Sequence, residues 1–306
     1  MPKSQNKIGK KTYPQVTFIV PTARGGQRPL ECLRSIQKLN YPKKQIRIIL
    51  IDNNTKDKIY KKVKKEFKGV TTIRNKSNDG FAKAVNQAIK KLPTDYFFVT
   101  NDDIIFEKES IKTLIDYVLD KPEVGICGGK QISPRTKRFL AGGRNFNFFL
   151  GWQKDLKMAK LPTVCDQVEG CTMLIAKKVV AKIGLFDEGF YPAYGEDLDY
   201  CLRTKKAGFD VVYNPKAIFY HHFAHTTSKL PLREVYYLGF KNRLRLLIKH
   251  ANLFQILSFF LFHYLLVFPI RLVVRREPIM IPEARALIWN VKNLRETLAA
   301  RTIGSD

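Results

Sequence analysis

Short apolar runs rich in β-branched and aromatic residues alternate with amphipathic stretches through the first half of the chain. Their periods predict strands at Val16–Thr22, Ile46–Asp52, Val70–Arg74 and Tyr96–Thr100. Between them, apolar positions recur at helical spacing over Pro29–Leu39, Asp57–Lys68, Phe81–Lys91 and Ser110–Leu119. Strands that alternate with helices argue for βαβ units and a mostly parallel, doubly wound sheet. Val124–Leu161 is richer in glycine and aromatic residues and is expected to add short strands that shape a cleft. Helices follow near Lys177–Ile183 and at Glu196–Ala207, with strands at Asp210–Tyr213 and Ala217–Tyr220.

The pattern changes near Leu232. Tyr236–Lys249 reads as a basic helix, and Ala251–Ile270 contains no Asp, Glu, Lys or Arg. That run is about as long as one bilayer-spanning helix. Yet Asn252, Gln255, Ser258 and His263 share one side of a helical projection, and Arg243, Arg245, Lys249, Arg271, Arg275 and Arg276 bracket the run. A helix lying in the membrane interface, a spanning helix and a buried core helix all fit, and the one-sided polar stripe favours the first. The chain thus divides into a basic N-terminus (1–14), an α/β domain (15–230, with halves 15–103 and 104–230) and a helical extension (231–306).

Composition changes this picture in two places. The 306 residues, 45% hydrophobic, suffice for a large core, but 54 Lys+Arg against 27 Asp+Glu leave a net charge of +27. Lys56, Lys58, Lys61, Lys62, Lys64, Lys65 and Lys68 crowd one helix, where a solvated face explains each singly; the sum favours an anionic partner. Five cysteines are dispersed with no C-x-x-C, so neither a zinc site nor a disulfide framework is indicated, and a reducing cytosolic compartment fits. The basic N-terminus has no apolar segment of signal-peptide type.

The candidate chemistry is acidic. In doubly wound sheets ligands bind beyond the carboxyl ends of the strands, and two predicted strands end in acid: Asp52, followed by Asn53 and Asn54, and Asn101-Asp102-Asp103. Asp52 alone would be read as a turn or cap. Adjacent Asp102 and Asp103 repel unless a cation compensates, and oxygen ligands of this kind suit Mg²⁺ or Mn²⁺. Asn78-Asp79-Gly80-Phe81 opens a helix directly after a strand, where the first amides attract anions. No Walker-type loop or G-x-G-x-x-G follows the first strand. Glu196-Asp197-Leu198-Asp199 places three carboxylates in one helical turn, with Asp199 and Arg203 as an i,i+4 pair. His221, His222 and His225 follow the last strand of this half.

With these motifs the chain resembles glycosyltransferase family 2, the inverting enzymes of the Rossmann-like GT-A fold, especially rhamnosyltransferase-like members. The matching stretches run from Val16 to about residue 228: Val16–Thr22, Ile49–Asn54, Asn78–Asn86, Val99–Asp103, Gly170–Thr172, Gly184–Phe190, Glu196–Arg203 and the histidine segment. The resemblance implies that Pro21, Thr22 and Asp52 hold the nucleobase and ribose, with Asn78 and Lys83 near the nucleotide and Asn86 supporting that helix. It puts Asn101 and Asp102 beside the donor, Asp103 and His221 on Mn²⁺ or Mg²⁺, and Asp197 as general base with Glu196 beside it. Gly170, Cys171 and Tyr194 would face the sugar or acceptor. The implied activity is transfer from a UDP- or dTDP-type nucleotide sugar to a hydroxyl of a glycan or lipid-linked glycan, by protein peripheral on the inner face of the cell membrane and bound to its anionic surface. A sugar-binding scaffold of the same fold, a nucleotidyltransferase and a basic nucleic-acid-binding protein are the rivals. The last explains the charge but not the paired acids, so no nucleic-acid partner is expected.

Overall fold

The computed structural model describes residues 12–222 and 230–301. The first half runs β1 (Val16–Thr22), α1 (Arg28–Gln37), β2 (Ile46–Asp52), α2 (Ile59–Glu66), β3 (Val70–Arg74), α3 (Phe81–Ile89), β4 (Tyr96–Thr100), β5 (Ile104–Phe106) and α4 (Ser110–Leu119). Next come β6 (Val124–Ile132), β7 (Phe139–Ala141), β8 (Gly143–Asn147), β9 (Trp152–Asp155), β10 (Thr163–Val164), β11 (Gln167–Val168) and β12 (Thr172–Ala176). The remainder is α5 (Lys177–Ile183), α6 (Glu196–Lys206), β13 (Asp210–His221), α7 (Leu232–His250), α8 (Leu253–Phe262), α9 (Met280–Lys292) and α10 (Leu294–Ala299). Two π-helical segments, His263–Val267 and Ile270–Val274, extend α8.

The main sheet has the order β10-β13-β6-β12-β4-β1-β2-β3, with β5 on β13 and β7 on β6. The pairs β1–β2, β1–β4, β2–β3 and β6–β13 are parallel, whereas β12 runs antiparallel to both β4 and β6. Alternation along each strand serves both faces: Phe18, Val20 and Leu50 pack with α1, α2 and α4, while Ile19, Ile49 and Ile51 pack with α3, α5 and α6. The expected doubly wound α/β fold is therefore present. The strands expected at Asp210–Tyr213 and Ala217–Tyr220 are one strand, whose register on β6 slips between Asn214 and Ile218. Such a bulge lets one strand bend while keeping its pairing. A second sheet, β11-β8-β9, stands beside the first. All five cysteines are free and buried.

The C-terminal extension is joined to the α/β domain by buried charge. Asp199, fully buried in the first turn of α6, receives Arg203 at 2.9 Å, Lys249 at 2.6 Å and His250 at 2.8 Å. Asp187 receives Arg245 at 3.0 Å and the same Lys249 at 2.7 Å. Burial would raise the Asp199 carboxyl, but the His250 bond and the charges of Arg203 and Lys249 outweigh it and hold it well below the usual carboxylate range. The i,i+4 pair of the sequence is thus part of a network between α6 and α7.

The apolar run differs from expectation in which way it faces. Asn252 and Gln255 form a reciprocal capping box, Ser258 donates to the Phe149 carbonyl, and His263 is buried against Glu283 at 3.0 Å between Phe240 and Phe259. Ser258 and His263 of the polar stripe therefore face protein, Asn252 stays exposed at the helix start, and Leu257, Leu261 and Leu265 face outward. Arg245 and Lys249, expected in a basic membrane-facing flank, are buried in the ion network. Leu253–Val274 is long and apolar enough to cross a bilayer, and its apolar window is only 11% buried, unlike a core helix.

Removing one partner of a buried ion network costs about 3–5 kcal/mol. Asp199→Asn should lose stability on that scale at pH 7 in urea unfolding. Because the folded carboxyl lies below its unfolded value of about 3.9, the contribution is present above that pH and is lost progressively as pH falls from it toward the lower folded value. The gap between parent and variant should therefore narrow below about pH 4.

Candidate active site

A cavity of about 540 Å³ opens beyond the carboxyl ends of β1 and β4. Pro21 and Thr22 end β1, and Asn101, Asp102 and Asp103 follow β4; all five line it. Across from them are Gly170 and Cys171, ahead of β12, and Tyr194, Glu196 and Asp197 at the start of α6, with His221 at the end of β13. Asn78 lines the rim beside Gly80 and Phe81.

Asp103 and His221 meet because β5 starts immediately after the acidic pair. β5 pairs antiparallel with β13, Ile104 opposite His221, and the His222 amide donates to the Asp103 carbonyl. The Asp103 Oδ1–His221 Nε2 separation is 3.1 Å. Gln131 of β6 donates through Nε2 to Cys171 Sγ and Thr172 Oγ1, so its Oε1 faces His221 Nδ1 at 2.7 Å. With Nδ1 turned to Gln131, His221 presents Nε2 to the Asp103 carboxylate, and a histidine held through its other nitrogen is the usual form of a metal ligand. The pair fits a divalent ion of the Mg²⁺ or Mn²⁺ kind, which takes few protein ligands and completes its shell with phosphate and water. No group of three or more His, Cys, Asp or Glu side chains forms a cage among the described residues. His222 is exposed, and His225 lies outside the described residues.

Other acids are shaped by burial. Burial pushes Asp102 up to about 6; the Thr22 hydroxyl bonded to it opposes the shift, and Asp103 adds to it. Burial, then the Asp197 charge, holds Glu196 well above the usual carboxylate range. Asp197 Oδ1 accepts from the Leu198 amide at 2.8 Å and Oδ2 from the Gly170 amide at 3.1 Å. A Cβ on Gly170 would come 3.2 Å from that of Asp197, so the missing side chain makes room for the carboxylate.

The loop before α6 is pinned from two sides. Tyr191 OH donates to the Asn78 carbonyl and the Phe81 amide to the Pro192 carbonyl. From α7, Lys241 donates to the Tyr191 carbonyl, and Asn242 to those of Ala193 and Tyr194. Gly80, at φ +81°, lies where a Cβ would strike the Tyr191 ring at 2.8 Å.

Two expected residues are not brought to the cavity. Asp52 is fully buried and accepts from Arg74 Nη1 and the Thr55 amide, so the cap that its sequence context also allowed is what forms, and Asn53 lines the cavity instead. Lys83 pairs with Asp79 at 3.4 Å and points away. Asn86 supports its helix, bonding the Phe186 backbone twice and Glu188. Sequence reasoning missed Gln131, Arg24 and Glu169. Glu169 is pushed up to about 7 by burial, against the pull of Arg144 at 2.8 Å. Only their positions at strand ends could have marked them.

The family described as glycosyltransferase like family 2 matches residues 14–236. The chain belongs to that family. An uncharacterized glycosyltransferase of Rickettsia typhi is 27% identical over 206 residues, 65% of this chain and 62% of that protein, so the chain spans under two thirds of that relative. An N-acetylglucosaminyl-diphospho-decaprenol L-rhamnosyltransferase of Mycobacterium tuberculosis is 25% identical over 61% of this chain and 69% of its own. The rhamnosyltransferase WbbL of Escherichia coli is 25% identical over 70% and 86%. Among solved structures, GalNAc-T7 with UDP, GalNAc and Mn²⁺ superposes with TM-score 0.64 at 14% identity, over 88% of this chain and 59% of that one. The mannosyltransferase PcManGT of Pyrobaculum calidifontis, with GDP-Man and Mn²⁺, gives 0.60 at 14%, over 96% and 87%. Both share the fold of this glycosyltransferase domain.

A side chain at residue 170 should act through Asp197. Displacements of about 1 Å can cost on the order of a hundredfold. Gly170→Val should therefore lower sugar-nucleotide turnover by about that factor while the melting temperature stays near the parent's.

Proposed function

We propose that the protein is an inverting, metal-dependent glycosyltransferase that moves a sugar from a nucleotide-sugar donor of UDP or dTDP type to a hydroxyl of a lipid-linked glycan. The observation that carries this is the convergence in one cavity of the Asp103–His221 pair and the Asp197 carboxylate, each delivered by a different element. The rhamnosyltransferase relatives, one named for a diphospho-decaprenol substrate, support the acceptor class. The two Mn²⁺-bearing structural neighbours support the metal.

Pro21, Thr22, Asn53 and Asn78 would cradle the nucleotide at the strand ends. Asp103 and His221 would hold Mn²⁺ or Mg²⁺, which when bound supplies positive charge to the leaving diphosphate. Asp197, fixed by two backbone amides, takes the proton of the acceptor hydroxyl. That oxygen bonds to the anomeric carbon from the face opposite the diphosphate, whose C–O bond breaks, so a nucleoside diphosphate leaves and the centre inverts. Glu196, whose carboxyl is pushed upward by burial and by the Asp197 charge, lies beside it. Asp197→Asn should keep donor binding and lower turnover by about 10²–10⁴-fold; near-parental turnover would move the base elsewhere. Asp103→Ala should abolish the gain in UDP affinity on adding Mn²⁺, read by calorimetry, in a protein that still melts cooperatively.

The exposed apolar face of the helix after Asn252 supports peripheral binding to the membrane, with protein on its polar side and lipid on the other. Exposed Arg275 and Arg276 remain to meet anionic headgroups. Protein mixed with phosphatidylglycerol vesicles should float and be released by carbonate. The double variant Leu257→Glu, Leu261→Glu should partition roughly a hundredfold less, since burying each leucine contributes about 1.5–3 kcal/mol. Protein that never floats, or that survives carbonate, would sink the peripheral placement.

A further inference from the structure

A second cavity, of about 680 Å³, lies between the β8–β9 hairpin and α7. It shares Glu169, Tyr194, Glu196 and Asp197 with the first, so the two meet at the proposed base. Its far wall carries two arginines. Arg144 is neutralised by Asp155 at 2.7 Å and Glu169 at 2.8 Å. Arg243 is different: among the described residues it forms no ion pair, and its stem is half-buried behind Gly151. Glu283, which faces it from α9, is already bonded by His263 and approached by Arg271. A half-buried guanidinium that lines a cavity and has no carboxylate within ion-pair distance is matched best by a planar or tetrahedral oxyanion, taken bidentately.

The same cavity has an apolar exit. Trp152, half exposed on its rim, packs edge-on against Phe262 of α8, and Phe149 of the same hairpin packs on Phe254. Beyond these contacts lies the outward leucine face of the helix. A carboxylate for a hydroxyl, a cation for an anion and a hydrocarbon surface thus follow one another from the inside out. We propose that this cavity is the acceptor subsite and that it takes an amphiphile bearing a phosphate or diphosphate, which Arg243 binds while Trp152 and α8 receive its hydrocarbon. This rests on the assignment of Asp197 as base only for the direction of the sugar; the anion site stands on Arg243 itself. Burial and the neighbouring Arg271 hold the Arg243 guanidinium below its ordinary value, opposed by Glu283, as an unneutralised cation would be.

The test uses farnesyl diphosphate as probe and Trp152 as reporter. The chain has two tryptophans, so Trp289→Phe leaves Trp152 as the sole one. Farnesyl diphosphate should quench its fluorescence saturably, and UDP with Mn²⁺ should not displace it. Arg243→Gln should raise the Kd at least about tenfold while farnesol binding is unchanged, and Arg243→Lys, keeping charge without the fork, should fall between. If farnesol binds as well as the diphosphate, if Arg243→Gln leaves Kd unaltered, or if UDP competes, the anion site is wrong. Should the Gln variant melt early, the Lys variant decides: a Kd equal to the parent's overturns the bidentate contact. None of these outcomes depends on turnover, so failure of the transferase assignment would show separately, in an active Asp197→Asn.

Discussion

The buried carboxylate of Asp199 fixes the geometry on which everything else rests. It lies two residues after Asp197 in one helical turn, so the two side chains leave α6 on different sides. Asp197 reaches the cavity, and Asp199 reaches into α7, where Lys249 and His250 close on it along with Arg203. Buried ion pairs are poor sources of net stability, because desolvation offsets much of the attraction. What they supply here is registry. Apolar contacts tolerate sliding by a turn, whereas a carboxylate shared among Arg203, Lys249 and the His250 imidazole does not. The same α7 sends Lys241 and Asn242 to the carbonyls of the loop that carries Tyr191 and Tyr194. The helical extension is therefore part of the active-site scaffold rather than an appendage.

The cavity poses the opposite problem, since several carboxylates are brought close together. Asp102, Asp103, Glu169, Glu196 and Asp197 all line it in a chain of net charge +27. Burial raises Asp102, Glu169 and Glu196 together, which is how a protein relieves such crowding when no cation is present. An anionic donor would be repelled by the fully ionised set. A divalent ion at the proposed Asp103–His221 site would turn that repulsion into attraction, and donor and metal would then bind as one event.

Much of this was legible in the sequence, for reasons that can be named. β-branched runs gave four parallel strands at their observed bounds, because strands buried on both faces leave an almost continuous apolar signal. Acids at the ends of such strands pointed to the cavity because topology, not local propensity, puts strand ends together. β5 and β12 carried no usable signal: three residues are too few for a period, and the five of β12 run into a helix. Asp52 is not among the residues lining the cavity, because Arg74, far along the chain, takes its carboxylate, and a single sequence does not display that pairing. Gln131 orients His221 from a strand that reads as ordinary core.

The C-terminal helix teaches the sharper lesson about amphipathic patterns. Most surface helices turn their polar stripe to water. Here the stripe is short of charge and rich in groups that want one specific partner: Asn252 a helix amide, Ser258 a carbonyl, His263 a buried glutamate. Uncharged polar groups of that kind are satisfied better by protein than by exposure, and once they are, the apolar side has nowhere to go but outward. The inversion is consistent with the ion network, which consumes Arg245 and Lys249 and so removes from the surface two of the six basic residues that the sequence offered to lipid. Attraction to a membrane would then depend on apolar area more than on charge, and added salt would weaken it less than the chain's net charge suggests.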